Sequence, residues 1–258
     1  MLQGNDYLTI GVSMIKIGIM ADIHNNLIAL NSMLNVFEHE ECEEIICCGD
    51  MIGIGPFPEE TIKKIKSIKN LRCVLGNHEI YLLNGITWPY PDQMDEDEAQ
   101  HHLWEHGELS EGSKEFIQQL PHKLFLEREG FKIAVLHYCL DENNQYTNYT
   151  KNPSPDDCDS MFSEINADII VYGHNHITAV VNSKKRIYIN CGSLGCPHVY
   201  EGIAKGGILT IDKGIIKFRP ISAEYDLQTV INKIDEIEYP ASNVIKSIFY
   251  GIHNKINE

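Results

Sequence analysis

Seven residues of metal-ligand type stand in five short blocks of this chain: Asp22-Ile23-His24, Gly49-Asp50, Gly76-Asn77-His78-Glu79, His137 and Gly173-His174-Asn175-His176. The seven are Asp22, His24, Asp50, Asn77, His137, His174 and His176. Imidazole and carboxylate together suit borderline divalent ions such as Mn, Fe, Zn, Co or Ni. A carboxylate has two oxygens, so one Asp can bridge two ions. Asn supplies a neutral carbonyl oxygen and limits the net negative charge. Two ions ~3.5–4 Å apart can hold a hydroxide between them and clamp a phosphoryl group during in-line displacement. Seven ligands fill two five- or six-coordinate ions once water and substrate are added.

These blocks need elements that deliver them to one place. Each closes an apolar run: Met14 to Met20, Ile45 to Cys48, Leu71 to Leu75, Lys132 to Leu136 and Asp168 to Tyr172. Short apolar runs that stop at Gly, Asp or His read as buried strands with polar groups at their carboxyl ends. In open α/β sheets that edge is where ligands bind. Asn26 to Phe37 has apolar residues at helical spacing, and Glu59 to Ile68 reads as a second helix with Pro56 and Pro58 at its entrance. Strands are then expected at Lys123–Glu127, Phe131–His137, Asp168–Tyr172, Thr178–Asn182, Arg186–Asn190, Gly207–Asp212 and Ile215–Arg219. Leu227 to Ile237 and Val244 to Ile252 read as closing helices. A βαβ front followed by mostly antiparallel strands predicts a mixed α/β layout.

The blocks, in this order, resemble the calcineurin-like metallophosphoesterase superfamily, and within it the small bacterial and archaeal phosphodiesterase branch. The resemblance runs from Met14 to about Arg219. It rests on Ala21-Asp22-Ile23-His24-Asn25-Asn26-Leu27, Gly49-Asp50-Met51-Ile52-Gly53-Ile54-Gly55-Pro56, Gly76-Asn77-His78-Glu79, Tyr172-Gly173-His174-Asn175-His176 and Asn190-Cys191-Gly192-Ser193-Leu194-Gly195-Cys196-Pro197. It implies a four-layer α/β/β/α sandwich of two mixed sheets flanked by helices. It also implies two divalent metal ions. Asp22, His24 and His176 correspond to ligands of one ion, Asn77, His137 and His174 to ligands of the other, and Asp50 to the bridge. His78 corresponds to the family's acid, which protonates the leaving oxygen or stabilises the transition state. The implied nucleophile is metal-bound hydroxide, so no Ser or Cys nucleophile is needed.

Two departures matter. The family usually has Gly where Asn25 stands, but Asn tolerates a left-handed backbone better than most residues. Protein phosphatases and dinucleoside-tetraphosphatases of the superfamily carry Asp-Arg-Gly after the second block. Gly53-Ile54-Gly55 stands here instead, without the phosphate-gripping Arg. That argues against a protein phosphatase. His137 precedes Tyr138-Cys139, where the branch often has Gly-Ser.

The 258 residues suffice for a single α/β domain with a sizeable core. Hydrophobic residues at 43% and charged residues at 22% are ordinary globular values. No apolar run approaches the ~20 residues of a membrane span, and no signal peptide is visible, so a cytoplasmic protein is expected. Met14 is a candidate original start, with the polar residues before it an extension. The net charge of −16 repels nucleic acid phosphates. Acid gathers at Asp92 to Glu98 and near the C-terminus. Of eight Cys, Cys47, Cys48, Cys73 and Cys139 sit in or beside apolar strands, where Cys behaves as a small hydrophobe. Cys47 and Cys48 point to opposite faces of a strand and cannot share an ion. Reduced thiols are expected.

The segment 81–121 reads as a helical cap insert carrying Trp88, Tyr90, Trp104, His101, His102 and His106. His102 and His106 share a helix face and could bind a metal, but Glu105 is not beside the first His as the zinc-protease motif needs. Packing or substrate contact is the simpler reading. Scattered structural His is the plain alternative for the main set, and five of twelve His falling in the motif blocks speaks against it. A non-catalytic scaffold of the same fold would lack the catalytic His, and His78 is present. A polynucleotide nuclease would want a basic groove, and only Lys63 to Lys69 is rich in Lys. The reading is therefore a phosphoesterase acting on a small phosphoester, leaning to diesters, with phosphomonoesterase as the near alternative.

Overall fold

β1 (Ile15–Met20) shows how the sheets are buried. Ile17 and Ile19 point into one apolar cluster and Met20 into another, and all three are fully buried. A strand covered on both faces belongs inside a sheet with layers on either side. The structure is a computed structural model, and it describes residues 14–91, 94–141, 146–147, 150–197 and 201–252. The proposed N-terminal extension and Asp92 lie outside the described residues.

β1 pairs in parallel with β2 (Glu44–Cys47), and β2 in parallel with β3 (Leu71–Cys73). On its other side β1 pairs antiparallel with β9 (Ile203–Asp212), which pairs with β10 (Ile215–Glu224). The first sheet has the order β10-β9-β1-β2-β3. β9 and β10 run further than the apolar pattern indicated. Pro220 in β10 is tolerated because β10 is an edge strand, where a missing N–H breaks no ladder.

The second sheet contains β4 (Lys123–Arg128), β5 (Phe131–Leu136), β6 (Ile169–Tyr172), β7 (Thr178–Asn182) and β8 (Ile187–Cys191), in the order β4-β5-β6-β8-β7. Its centre is parallel, β5 to β6 to β8, which corrects the expectation of mostly antiparallel strands in this half. The burial patterns give the reason. β6 is buried throughout and β5 and β8 nearly so, as central parallel strands are, while β4 and β7 alternate in exposure as antiparallel edge strands do.

Helices complete four layers. α1 (Leu27–His39), capped by the Asn26 side chain, and α2 (Pro58–Ser67) cover the outer face of the first sheet. Ile17, Ile19, Ile46 and Cys48 meet Ile133, Val135, Val171 and Ile189 between the sheets. α6 (Pro155–Met161) contributes Cys158 to the cluster on the far face of the second sheet. Cys47 faces the outer helices and Cys48 the inter-sheet core, so the two thiols diverge. All eight Cys are free. α7 (Leu227–Ile237) and α8 (Ser242–Tyr250) pack through Val230, Ile234, Ile245 and Tyr250 against Ile54 and Cys196. Between β3 and β4 stand α3 (Asn77–Asn84), α4 (Glu96–Glu108) and α5 (Glu111–Gln118). Among the described residues no helix is long and apolar enough to cross a membrane.

Candidate metal centre

Five strands hand their carboxyl ends to one place. Asp22 and His24 follow β1, Asp50 follows β2, and Asn77 opens α3 after β3. His137 follows β5, and His174 and His176 follow β6. The turns are tight. Asp22, His24, Asn25, Asp50, His174 and His176 have φ of 54°, 49°, 51°, 51°, 76° and 59°. Left-handed backbone at non-Gly residues is costly and clusters where function requires it. Main-chain bonds hold it in place: the N–H groups of Asp22, His24 and Asn25 donate at 3.0 Å to the carbonyls of Gly49, Asp50 and Met51. Gly76 is required by crowding, since a Cβ there would lie 2.1 Å from Asp50 Oδ1.

The side chains form two adjoining nests. In one, His24 Nε2 lies 3.0 Å from His176 Nε2, and His176 Nε2 lies 3.6 Å from Asp22 Oδ1. In the other, His137 Nε2 lies 3.2 Å from Asp50 Oδ2, 3.0 Å from Asn77 Oδ1 and 3.2 Å from His174 Nδ1. Asp50 sits between them, grouped with His24 and His78 on one side and with His137 and His174 on the other. All seven sequence-selected residues are therefore brought together. His78 joins them: its Nε2 is 3.9 Å from Asp50 Oδ2, and its main-chain N–H donates to Asp50 Oδ1 at 3.1 Å.

The hydrogen bonds fix which ring nitrogen carries the proton that anchors each imidazole. His24 Nδ1 donates to the carbonyl of Ile52 at 3.1 Å, and His176 Nδ1 to that of Cys196 at 3.0 Å. A carbonyl can only accept, so Nδ1 carries the proton in both rings. In neutral rings the two Nε2 lone pairs then face each other at 3.0 Å. Burial lowers the His24 pKa and so keeps that ring neutral. Facing lone pairs repel unless a cation lies between them. His137 Nδ1 likewise donates to Cys48 O at 2.8 Å and aims Nε2 at Asp50, Asn77 and His174. Anchoring one ring nitrogen on a carbonyl is how metal-binding His are oriented.

The electrostatics make the same demand. Burial pushes the Asp22 carboxyl up to about 8, with His137 opposing and Asp50 adding to the rise. Burial also acts to raise Asp50, but His137 and His78 hold it well below the usual carboxylate range. His137 is raised to about 9 although burial disfavours its charge, because Asp50 and Asp22 outweigh burial. Two buried carboxylates thus draw in positive charge. The donor set fits divalent ions of the Mn, Fe, Co, Ni or Zn kind.

The calcineurin-like phosphoesterase superfamily domain model matches residues 15–214. The chain belongs to this superfamily. An uncharacterized protein of Methanocaldococcus jannaschii is 28% identical over 239 residues, covering 87% of this chain and 93% of the relative. A metallophosphoesterase from Sphaerobacter thermophilus has a similar fold, with TM-score 0.72 and 20% identity over 92% of this chain and 99% of the other. A hypothetical protein from Pyrococcus horikoshii OT3 gives TM-score 0.77 and 18% identity over 93% and 100%. At these identities the two structures speak for the fold alone.

In this superfamily member the centre opens into a cleft of about 300 Å³. Its walls include His78, His101 and His102 with Asp97 and Glu98 of α4, and Val244 and Ile248 of α8. Trp104 of α4 packs rather than lines the cleft, stacking on Tyr239 with centroids 4.8 Å apart, while His101, which does line it, lies 4.9 Å from Tyr239. Trp88 remains exposed.

Several supporting residues escaped sequence reasoning. Glu79 accepts the N–H groups of Asp50, Met51, Ile52 and Gly76 at 2.7–3.1 Å. Asn190 donates to Gly173 O and Asn175 Oδ1, both at 2.8 Å, and Ser193 donates to Asp22 O at 2.8 Å. All three stand inside the motif blocks, which was the signal available. Glu105 of α4 accepts from Gly53 N and Asn25 Nδ2, and nothing in its sequence surroundings pointed to that contact.

Proposed function

We propose that the protein is a dinuclear-metal phosphodiesterase for small substrates. The observation that carries this is the pair of adjoining nests of ligand-type side-chain atoms with Asp50 between them. Asp22, His24 and His176 would hold one ion, Asn77, His137 and His174 the other, and Asp50 both. When bound, two such ions supply Lewis acidity toward the phosphoryl oxygens and activate water.

The chain's own groups do the rest. Asp50 keeps the charge between the two nests, and the Ile52, Cys48 and Cys196 carbonyls keep each imidazole turned inward. His78 lines the cleft beside Asp50, where its N–H could meet the leaving oxygen. A preference for diesters over monoesters follows from charge. Among the described residues lining the cleft none is Lys or Arg, while Asp95, Asp97 and Glu98 are present. A monoester near neutral pH carries close to one more negative charge than a diester. An acidic cleft without an arginine clamp favours the monoanion, and it also opposes a polynucleotide.

The test is a screen of metal-reconstituted protein against aryl phosphodiesters, aryl phosphomonoesters, cyclic nucleotides and short oligonucleotides. Faster turnover of a diester, abolished by chelation and restored by Mn or a similar ion, is the expected result. Full activity in a demonstrably metal-free sample would overturn the reading, and a clear monoester preference would overturn its diester part.

A further inference from the structure

Helix α4 carries a second set of metal-type side chains that the proposed reaction does not use. His102, Glu105 and His106 are spaced i, i+3 and i+4, so they share one helix face. Their ligand atoms all lie within 4.8 Å of one another. His102 Nδ1 is 3.4 Å from Glu105 Oε2, and both side chains are buried. His106 supplies the independent sign of a ligand: its Nε2 is buried and meets no hydrogen-bond partner.

The order of residues has chemical meaning. Two His four apart on a helix are the zinc-binding pair of the His-Glu-x-x-His motif. His102-Leu103-Trp104-Glu105-His106 reads His-x-x-Glu-His, the reversed form. Two imidazoles and a carboxylate with one open position form a zinc-type donor set. Peptide hydrolysis does not follow, because Glu105 Oε1 is already committed to Gly53 N and Asn25 Nδ2 and is not free as a base.

We propose that His102, Glu105 and His106 bind a further divalent cation of zinc type, which locks the cap helix over the centre formed by the strand ends. The coupling is short. One oxygen of Glu105 would hold the ion, while the other holds Asn25, next to His24, and Gly53, three residues after Asp50. His102 in turn lies with its ring 5.0 Å from that of His78. The inference stands apart from the proposed phosphodiesterase, since it needs none of the seven residues at the strand ends.

Zinc alone is the probe. Full-length protein is stripped with chelator, given near-stoichiometric zinc steps and analysed for bound metal after desalting. Wild type should hold one equivalent more than His106→Ala. His106→Asp, which restores an oxygen ligand, should recover it. Zinc should also raise the melting temperature of wild type and His106→Asp more than that of His106→Ala. The same comparison in an Asp50→Asn, His176→Ala background should still show the His106-dependent equivalent, so failure of the strand-end centre and failure of this site are separable. His106 is only partly buried, and His102→Gln tests the site from its other imidazole. Equal zinc content in wild type and His106→Ala, both folded by circular dichroism, would overturn the proposal.

Discussion

Glu79 Oε2 accepts the main-chain N–H of Asp50 at 2.9 Å. The same carboxylate takes the N–H groups of Gly76, Met51 and Ile52, so one buried side chain shapes the loop that presents Asp50. Burial raises the Glu79 carboxyl to about 7, with Asp50 adding to the rise and the Gly76 and Ile52 N–H groups opposing it. Glu79→Gln keeps the shape but turns one acceptor into a donor. In either amide orientation two N–H groups then face an NH₂. Each unmet buried donor costs ~1–3 kcal/mol. We expect a lower melting temperature and metal affinity weaker by ~10–100-fold, the range for lost supporting contacts. Calorimetric metal titration checks it, and unchanged affinity would show that the loop holds its shape without Glu79.

Much of this was legible in the residues, for physical reasons. Apolar runs ending in Asp, Asn or His marked the five delivering strands because a buried parallel strand has no polar positions until it emerges. Asn25, in place of the family's Gly, adopts φ of 51°, as a left-handed turn requires. The parallel centre of the second sheet was not legible, because a four-residue run such as Ile169–Tyr172 reads the same in either direction. Nor was Glu105, whose partners Asn25 and Gly53 lie 80 and 52 residues away in sequence. Local pattern carries no information about a contact at that separation. The start of α3 at Asn77 was also hidden, since its cap is Gly76 with Glu79 accepting the Gly76 N–H.

In the proposed dinuclear centre, Asp50 would carry the charge that lets two cations approach. Like charges ~4 Å apart repel strongly, and the repulsion grows as water is excluded. Asp50→Asn removes that charge and also presents an amide toward His137 Nε2, now 3.2 Å from Oδ2. Metal analysis of the reconstituted variant should find fewer than two equivalents at the strand-end centre, with activity lost. Both ions retained with normal turnover would remove Asp50 from the bridging position.

Stability at acid pH should report on Glu59. Burial acts to raise its carboxyl, but the N–H and hydroxyl of Ser110, at 3.0 and 2.9 Å, contribute to holding it at about 2. A carboxyl depressed in the folded state adds stability above its unfolded value near 4.5 and loses it as pH falls toward 2. Glu59 is largely solvent-screened in effect, so its contribution is modest. Glu59→Gln should melt about 1–3 °C below wild type at pH 7, and the gap should close between pH 4.5 and 2. A gap that persists at the acid end would mean that shape, not charge, joins α2 to the Ser110 cap of α5.

His78 separates an enzyme from a scaffold. It follows Asn77 directly and lines the cleft, yet both nests are complete without it. Burial holds its pKa well below the ordinary imidazole value despite the pull of Asp50. A neutral ring can only offer its N–H as a hydrogen bond, so proton transfer to the leaving oxygen would draw on the imidazolium form that Asp50 favours. As a donor to the leaving oxygen it should contribute ~10²–10⁴ in rate. His78→Ala should keep its metals and its melting temperature while kcat falls by that order. The loss should be smaller for nitrophenolate, which departs without a proton, than for an alkoxide. Equal losses for both would mean that His78 binds phosphoryl oxygens instead of donating a proton. No loss at all, with the metals in place, would take His78 out of the reaction and favour a binding scaffold.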